Sequence, residues 1–397
     1  MKINKVTLLG HKDHGKSTLI GSLLIATKST SKERIKEAEE ISKKLGKKFE
    51  PAFILDSFYE ERKGGLTIDT TRAQIKYKDM AFEFIDVPGH SELMQNMLSG
   101  ASYADIAVLV ISAKTGEGIK KQTERHLFIA RMLGIKHLII AVNKIDTVNY
   151  KKDRFDEIKS SISKFLSSIG YEEKNVSFVP ISAYTQENIM KKSKKMGWYS
   201  GKTLLEHIYG ASKDSIKKNY GKSIALMQGY LENGVSCIVL SGRISRNPFY
   251  LIPGNSDKYS ISKIMVKGRS VKEAKTGENA VIYSNKKFPA DIRGKVLCSE
   301  KIAPKKSFDA QIFLVNNLEN PILRFNGNEV KCGIKIKKVI YPIKKKIIEE
   351  IKPLEAAEAE ITPDKALIVF PFDTLKELGR FTIYSGGKFS GFGVVKE

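Results

Sequence analysis

The stretch GHKDHGKST, Gly10–Thr18, constrains this chain more than any other. It fits G-x4-G-K-[ST] and stands between two apolar runs, VTLL and LIGSLLI, so it reads as a turn from a strand into a helix. Bare glycines at Gly10 and Gly15 let backbone N–H groups close around phosphate oxygens, the following helix presents its positive end, and Lys16 neutralises the terminal phosphate charge. Ser17 is placed to ligate Mg2+, with Thr18 beside it. Asp13 completes the loop, and His11 and His14 are expected to shape it and not to react.

The rest of the first half supplies the sheet such a loop needs. Apolar runs of strand length, VTLL, FEFI, IAVLVI, HLIIAV and SFVPI, alternate with segments of helical spacing at Leu19–Ile25, Thr123–Leu133 and Phe155–Ile169. Strand and helix in alternation mean a mostly parallel sheet covered on both faces, with ligands at the C-terminal ends of its strands. After KDSIKKNYGK the texture changes to short β-rich runs between Gly, Asn and Pro turns, such as SCIVLSG, YSISKIMV and DAQIFLV. These predict two all-β barrels meeting near KIAPKKS. The expected division is a nucleotide domain over residues 1–210, a linker over 211–222, and barrels over 223–302 and 303–397. EEIKPLEAAEAEI is expected as a charged barrel strand or loop, not a helix.

Further pieces of one site follow in chain order. FEFIDVPGH ends a strand with Asp86, suited to hold a metal-bound water, and then offers the Gly89 N–H to a γ-phosphate. ERKGGLTID offers Thr67 as a second hydroxyl ligand for Mg2+. In AVNKID, the Asp146 carboxylate matches the N1–H and 2-amino donors of guanine, which adenine lacks. Leaving that carboxylate unmatched costs on the order of 1–3 kcal/mol, so GTP is favoured over ATP. Asn143 and Lys144 brace the loops, and ISAY supplies Ser182 and Ala183 against guanine O6. The catalytic set is then Lys16, Thr67 and His90, with His90 orienting the attacking water. GTP or GDP and Mg2+ are the expected ligands, and the fold expected is an α/β P-loop GTPase domain followed by two all-β barrel domains. Arg62 and Arg72 flank the segment around Thr67 but are read as structural, so no built-in arginine finger is evident.

Composition adds less. The three cysteines, Cys237, Cys298 and Cys332, form no metal-ligand spacing and are expected as buried thiols. No apolar run is long enough to span a bilayer, and the reading is a cytoplasmic protein without membrane partners. The net charge of +24 favours a polyanionic neighbour such as RNA, although residues 1–210 carry a surplus of 10 and residues 211–397 one of 14, so no single arm holds it. Lys191, Lys192, Lys194 and Lys195 form the densest cluster, expected as a solvated loop face.

GHKDHGKST, ERKGGLTID, DVPGH and NKID, followed by two barrels, resemble the translational GTPases of the elongation factor Tu and elongation factor 1-alpha group. Within that superfamily, PAFILDSFYEERKGGLTIDTTRAQI, NMLSGASYADIAVLVISAKTGE and MGWYSGKTLLEHI look like the GTPase subunit of ATP sulfurylase. That resemblance implies GTP hydrolysis coupled to synthesis of adenosine 5'-phosphosulfate on a separate adenylyl-transferring catalytic subunit. The alternative is a translation factor that binds aminoacyl-tRNA, or another RNA, at the ribosome. The six histidines, His11, His14, His90, His126, His137 and His207, all precede the barrels, and RFNGNEVKCGIKIKKVI lacks the HCHTA-like strand of tRNA carriers. Sulfate activation is therefore the first expectation and translation the second.

Overall fold

The computed structural model describes residues 3–11, 13–46, 48–55, 71–86, 106–117, 119–213, 221–252, 258–342 and 351–396. The chain forms two compact units, Met1–Ile216 and Lys217–Glu397.

The first unit is built on a six-stranded sheet of order β2-β3-β1-β4-β5-β6, from β1 (Ile3–Leu9), β2 (Thr71–Tyr77), β3 (Met80–Asp86), β4 (Ile106–Ser112), β5 (His137–Asn143) and β6 (Val176–Pro180). All neighbours are parallel except the β2–β3 hairpin. β4, IAVLVIS, is buried at every residue, as expected for a central parallel strand covered on both faces. The helices are α1 (Lys16–Ala26), α2 (Lys32–Lys44), α3 (Lys121–Met132), α4 (Lys152–Ser168) and α5 (Leu204–Lys213). α1 buries Leu19 through Leu24 without a break, so it runs through the core and not along its surface. A Cβ at its Gly21 would collide with the Pro51 carbonyl, which makes glycine there a condition of close packing. None of the helices among the described residues is long and apolar enough to cross a membrane.

Three elements of this unit fall outside the sequence expectations. α2 buries only Ala38 and Ser42, so its apolar stripe is too thin to register as a period. Its local signals are the Ser31 cap, which accepts the Arg34 N–H, with Glu33 in the first turn and Lys43 and Lys44 in the last. β2 is an edge strand whose residues alternate exposed and buried from Arg72 to Lys76, and α5 lies where MGWYSGKTLLEHI gave only a resemblance.

The second unit is all-β. Its first sheet contains β7 (Ile224–Leu231), β8 (Gly234–Ser241), β10 (Pro248–Ile252), β11 (Lys258–Val266), β12 (Arg269–Val271), β14 (Asn279–Ser284) and β15 (Val296–Cys298), in the order β10-β15-β7-β8-β14-β11-β12. Pairing of β10 with β11 joins the sheet back on itself, while β9 (Arg243–Ile244) and β13 (Ala274–Lys275) form a separate small ladder. The second sheet is a closed barrel, β16-β19-β18-β17-β20-β21, from β16 (Phe308–Leu314), β17 (Ile322–Phe325), β18 (Asn328–Tyr341), β19 (Ala356–Pro363), β20 (Arg380–Ser385) and β21 (Lys388–Val395). EAAEAEI thus lies in a strand, and the terminal GRFTIYSGGKFSGFGVV is the hairpin that closes the barrel against β16.

One apolar cluster packs Ile224, Leu240, Ile252, Val296 and Cys298 of the first sheet against Ile368, Phe370, Leu375 and Leu378 of the connection between β19 and β20. The two barrels therefore belong to one unit. All three cysteines are free and buried, as the sequence suggests, and burial pushes the Cys237 thiol up to about 12.

Fully buried Phe313 on β16 stacks on Phe392 of β21 with ring centroids 5.8 Å apart. Phe313→Ala is expected to destabilise the second unit by about 3–5 kcal/mol, read as a lower denaturant midpoint of the barrel transition.

Candidate nucleotide site

The C-terminal ends of β1, β4, β5 and β6 stand at one edge of the sheet, and each opens into a loop that carries residues singled out in the sequence. Parallel register fixes their relative heights: Leu9 lies beside Leu109, Ser112 beside Asn143, and Val142 beside Pro180. Residues more than a hundred positions apart are thereby brought to one place.

The loop after β1 leaves the sheet at Gly10, φ +141°, and enters α1 through Gly15, φ +89°, both in backbone conformations that favour glycine. A Cβ at Gly10 would strike the Val110 carbonyl, and one at Gly15 the Asn143 side-chain amide. Lys16 arches back over the loop, its Nζ donating to the carbonyls of Gly10 at 3.1 Å and His11 at 3.2 Å. Asp13 and Ser17 are exposed, and Thr18 donates its hydroxyl to Glu50 Oε1 at 3.0 Å. The His11 Nδ1 meets Gln122 Oε1 on α3, and the His11 and His14 rings meet edge to face at 5.4 Å. His14 is buried, with Nδ1–H donating to the Val110 carbonyl at 3.3 Å. Burial pushes its pKa down to about 4, and the Val110 bond offsets only part of that.

Asn143, the last residue of β5, is buried and bonded in two directions. Its Nδ2 donates to the His14 carbonyl at 2.9 Å, and its Oδ1 accepts the Ala183 N–H at 2.8 Å. One side chain thus ties the phosphate loop to the loop after β6. The chain next turns through Lys144 at φ +60°, and its ammonium pairs with Glu117 at 3.1 Å. The Ser112 hydroxyl, and then Lys144, hold the Glu117 carboxyl below its usual range. Arg154 on α4 donates to the carbonyls of Ala113 at 3.0 Å and Glu117 at 2.9 Å, so the loop after β4 is fastened as well.

Asp146 has a buried oxygen, Oδ1, without a hydrogen-bond partner among the described residues. An unmatched buried carboxylate oxygen is unfavourable unless a donor arrives, and the N1–H and 2-amino edge of guanine supplies donors of the needed kind. Ser182 accepts the Thr185 N–H at 3.2 Å, while Ala183 gives its N–H to Asn143 and its carbonyl accepts the Ser22 hydroxyl. Tyr184, absent from the sequence-derived set, is 40% exposed, and partial burial, then the charges of Glu50 and Asp146, raise its phenol pKa. An aromatic directly after the Ser–Ala pair is the signal that could have found it.

Asp86 closes β3 beside Leu8 and Thr71, and its side chain lies outside the described residues, as do Thr67, Gly89, His90 and Arg62. Arg72 is exposed on β2, and His126 is buried in α3 as a packing residue. In the lysine cluster, Lys195 pairs with Glu187 at 3.0 Å and Lys192 donates to the Ser200 carbonyl at 3.3 Å.

A sequence model described as the elongation factor Tu GTP binding domain matches residues 1–225. The chain is 33% identical over 410 residues to the elongation factor 1-alpha of Thermoplasma acidophilum, covering 97% of this chain and 95% of that relative. It is likewise 33% identical over 419 residues to the elongation factor 1-alpha of Pyrococcus furiosus, covering 98% and 96%. Among solved structures, the GTP-bound Ski7 GTPase-like domain of S. cerevisiae aligns over 99% of this chain and 97% of its own, with a TM-score of 0.57 and 18% identity, a likeness of fold.

Two measurements test the geometry. Asn143→Ala leaves the His14 carbonyl and the Ala183 N–H unmatched, each worth about 1–3 kcal/mol, and a drop in GDP affinity of about tenfold or more is expected by titration. Because His14 is neutral in the folded chain down to about pH 4 while the unfolded chain protonates it below about 6.5, stability is lost as pH falls through that window. His14→Gln is expected to remove this part of the slope, read from denaturant midpoints at about pH 7 and pH 5.

Proposed function

The chain belongs to the elongation factor Tu GTP-binding domain family, and from that premise we propose that it is a GTP-hydrolysing switch of translation that carries aminoacyl-tRNA, or another RNA, in its GTP state. The observation that carries this reading is the extent of the likeness. Relatives named elongation factor 1-alpha match 97% of the chain, barrels included, and not the nucleotide domain alone. That favours translation over sulfate activation on a partner subunit. The surplus of +24 charges supports a polyanionic cargo.

The loops fit the nucleotide by their chemistry. Backbone N–H groups between Gly10 and Thr18 cradle the phosphates, and Lys16, already poised over the loop, turns its ammonium to the β/γ oxygens. Asp146 reads the guanine edge with its unmatched oxygen, and the Tyr184 ring flanks the base. Ser17 and Thr67 would hold Mg2+ directly and Asp86 through a water, and that ion would neutralise charge on the phosphate oxygens. Gly89 senses the γ-phosphate, and His90 orients the attacking water. The residues assigned to the site include no arginine, so intrinsic hydrolysis is expected to be slow and a partner to accelerate it.

Three results follow from this reading. His90→Ala is expected to keep GTP binding within a few fold and to abolish stimulated turnover; a comparable loss of binding would make His90 structural. Asp146→Asn exchanges an acceptor pair for an amide and is expected to weaken GTP by about tenfold or more while favouring a xanthine nucleotide, read by competition. Filter binding with aminoacyl-tRNA is expected to favour the chain loaded with a non-hydrolysable GTP analogue over the GDP form, with affinity falling steeply as salt rises. RNA affinity indifferent to both salt and nucleotide would sink the carrier role.

A further inference from the structure

We propose that Ser22, on the helix that follows the phosphate loop, is a positioning residue for base recognition that aims the Tyr184 N–H at the position-6 oxygen of guanine; this rests on the guanine-nucleotide reading above.

Ser22 is fully buried, and its hydroxyl donates to the Ala183 carbonyl. It is the one hydroxyl residue in the apolar run Leu19–Ile25, at a helical position where alanine or leucine would favour the helix more. A hydroxyl in such a place needs a partner to offset its burial, and the partner here is a carbonyl from the base loop.

Ala183 is consequently held from both sides: its N–H by Asn143 at 2.8 Å and its C=O by Ser22. The second grip has a directional consequence. In a planar trans peptide the C=O and the next N–H point in opposite directions. An Ala183 carbonyl turned inward to α1 therefore turns the Tyr184 N–H outward. The neighbouring N–H groups of the loop are spent, Ala183's on Asn143 and Thr185's on Ser182. The outward N–H is the one that directly follows the residue held by Asn143 and Ser22. On guanine, O6 adjoins the N1–H that Asp146 reads, so an acceptor carboxylate and a donor N–H stand ready for adjacent atoms of one edge.

Ser22 shares α1 with Lys16 and Ser17. The base-reading donor and the phosphate-binding residues are thus referenced to one rigid helix.

The test uses the full chain and three nucleotides: GDP; IDP, which keeps O6 but lacks the 2-amino group; and 6-thio-GDP, whose sulfur is a weak acceptor at position 6. Ser22→Ala is expected to weaken GDP and IDP equally, by about 3- to 10-fold, and 6-thio-GDP much less, so the preference for oxygen at position 6 narrows while the GDP over IDP preference stays. Ser22→Cys, close in size with a weaker donor, is expected to fall between wild type and alanine and serves in place of the alanine variant should that one fail to fold. Equal loss for all three nucleotides, or no loss, overturns the proposal. A wild-type chain that binds none of the three overturns the guanine reading itself, and the role of Ser22 falls with it.

Discussion

Asn143 is the joint on which the candidate site depends. Its amide links two loops: the His14 carbonyl belongs to the phosphate loop and the Ala183 N–H to the loop after β6. Both bonds are buried, where an unmatched polar group is most unfavourable, so each loop holds the other in place. The same amide is what Gly15 must approach without a Cβ, which makes the glycine and the asparagine a single packing solution.

Around that joint, the sheet edge is stiffened by side chains that do not reach for a ligand. Arg154 fastens the loop after β4 by two carbonyls, Glu117 anchors Lys144, and Glu50 accepts from Thr18. These contacts come from α4, from the loop after β4 and from the segment before β2. Pre-organisation of this kind lowers the ordering entropy that a nucleotide would otherwise have to offset on binding.

Charge in the second unit is used partly within the fold. On β18, Lys335 lies opposite Glu360 and Lys338 opposite Glu358, and Lys337 reaches Asp309 at 2.6 Å. Lys258 and Lys301 lie over the Tyr250 ring, and Lys263 over Tyr283. Cross-strand and cation–π contacts of this kind are worth tenths of a kcal/mol to about one each. The surplus itself is spread over both halves of the chain and so marks no single binding arm.

Much of this was legible from residue order. The phosphate loop, the alternation that makes a parallel sheet, the shift to barrels and the NKID and ISAY stretches are local patterns, because turn chemistry and burial period act within a few residues of themselves. Thin amphipathy hid α2, which buries only Ala38 and Ser42, and β2 was hidden because its alternation from Arg72 to Lys76 buries only Ala73 and Ile75. The full-length likeness backs translation, the second expectation, better than sulfate activation, the first, for a related reason: motifs near the nucleotide are shared across the superfamily, whereas partner choice is written on surfaces without a spacing rule. What the sequence determined by itself is the ligand class and the succession of domains. Only the tertiary structure decided that Asn143 holds the His14 carbonyl 129 residues away, that Ser22 holds a carbonyl 161 residues away, and that Ala183 is gripped through both its N–H and its C=O. Such contacts arise when parallel strands bring their ends to one edge, and their long separations leave no periodic trace in the chain.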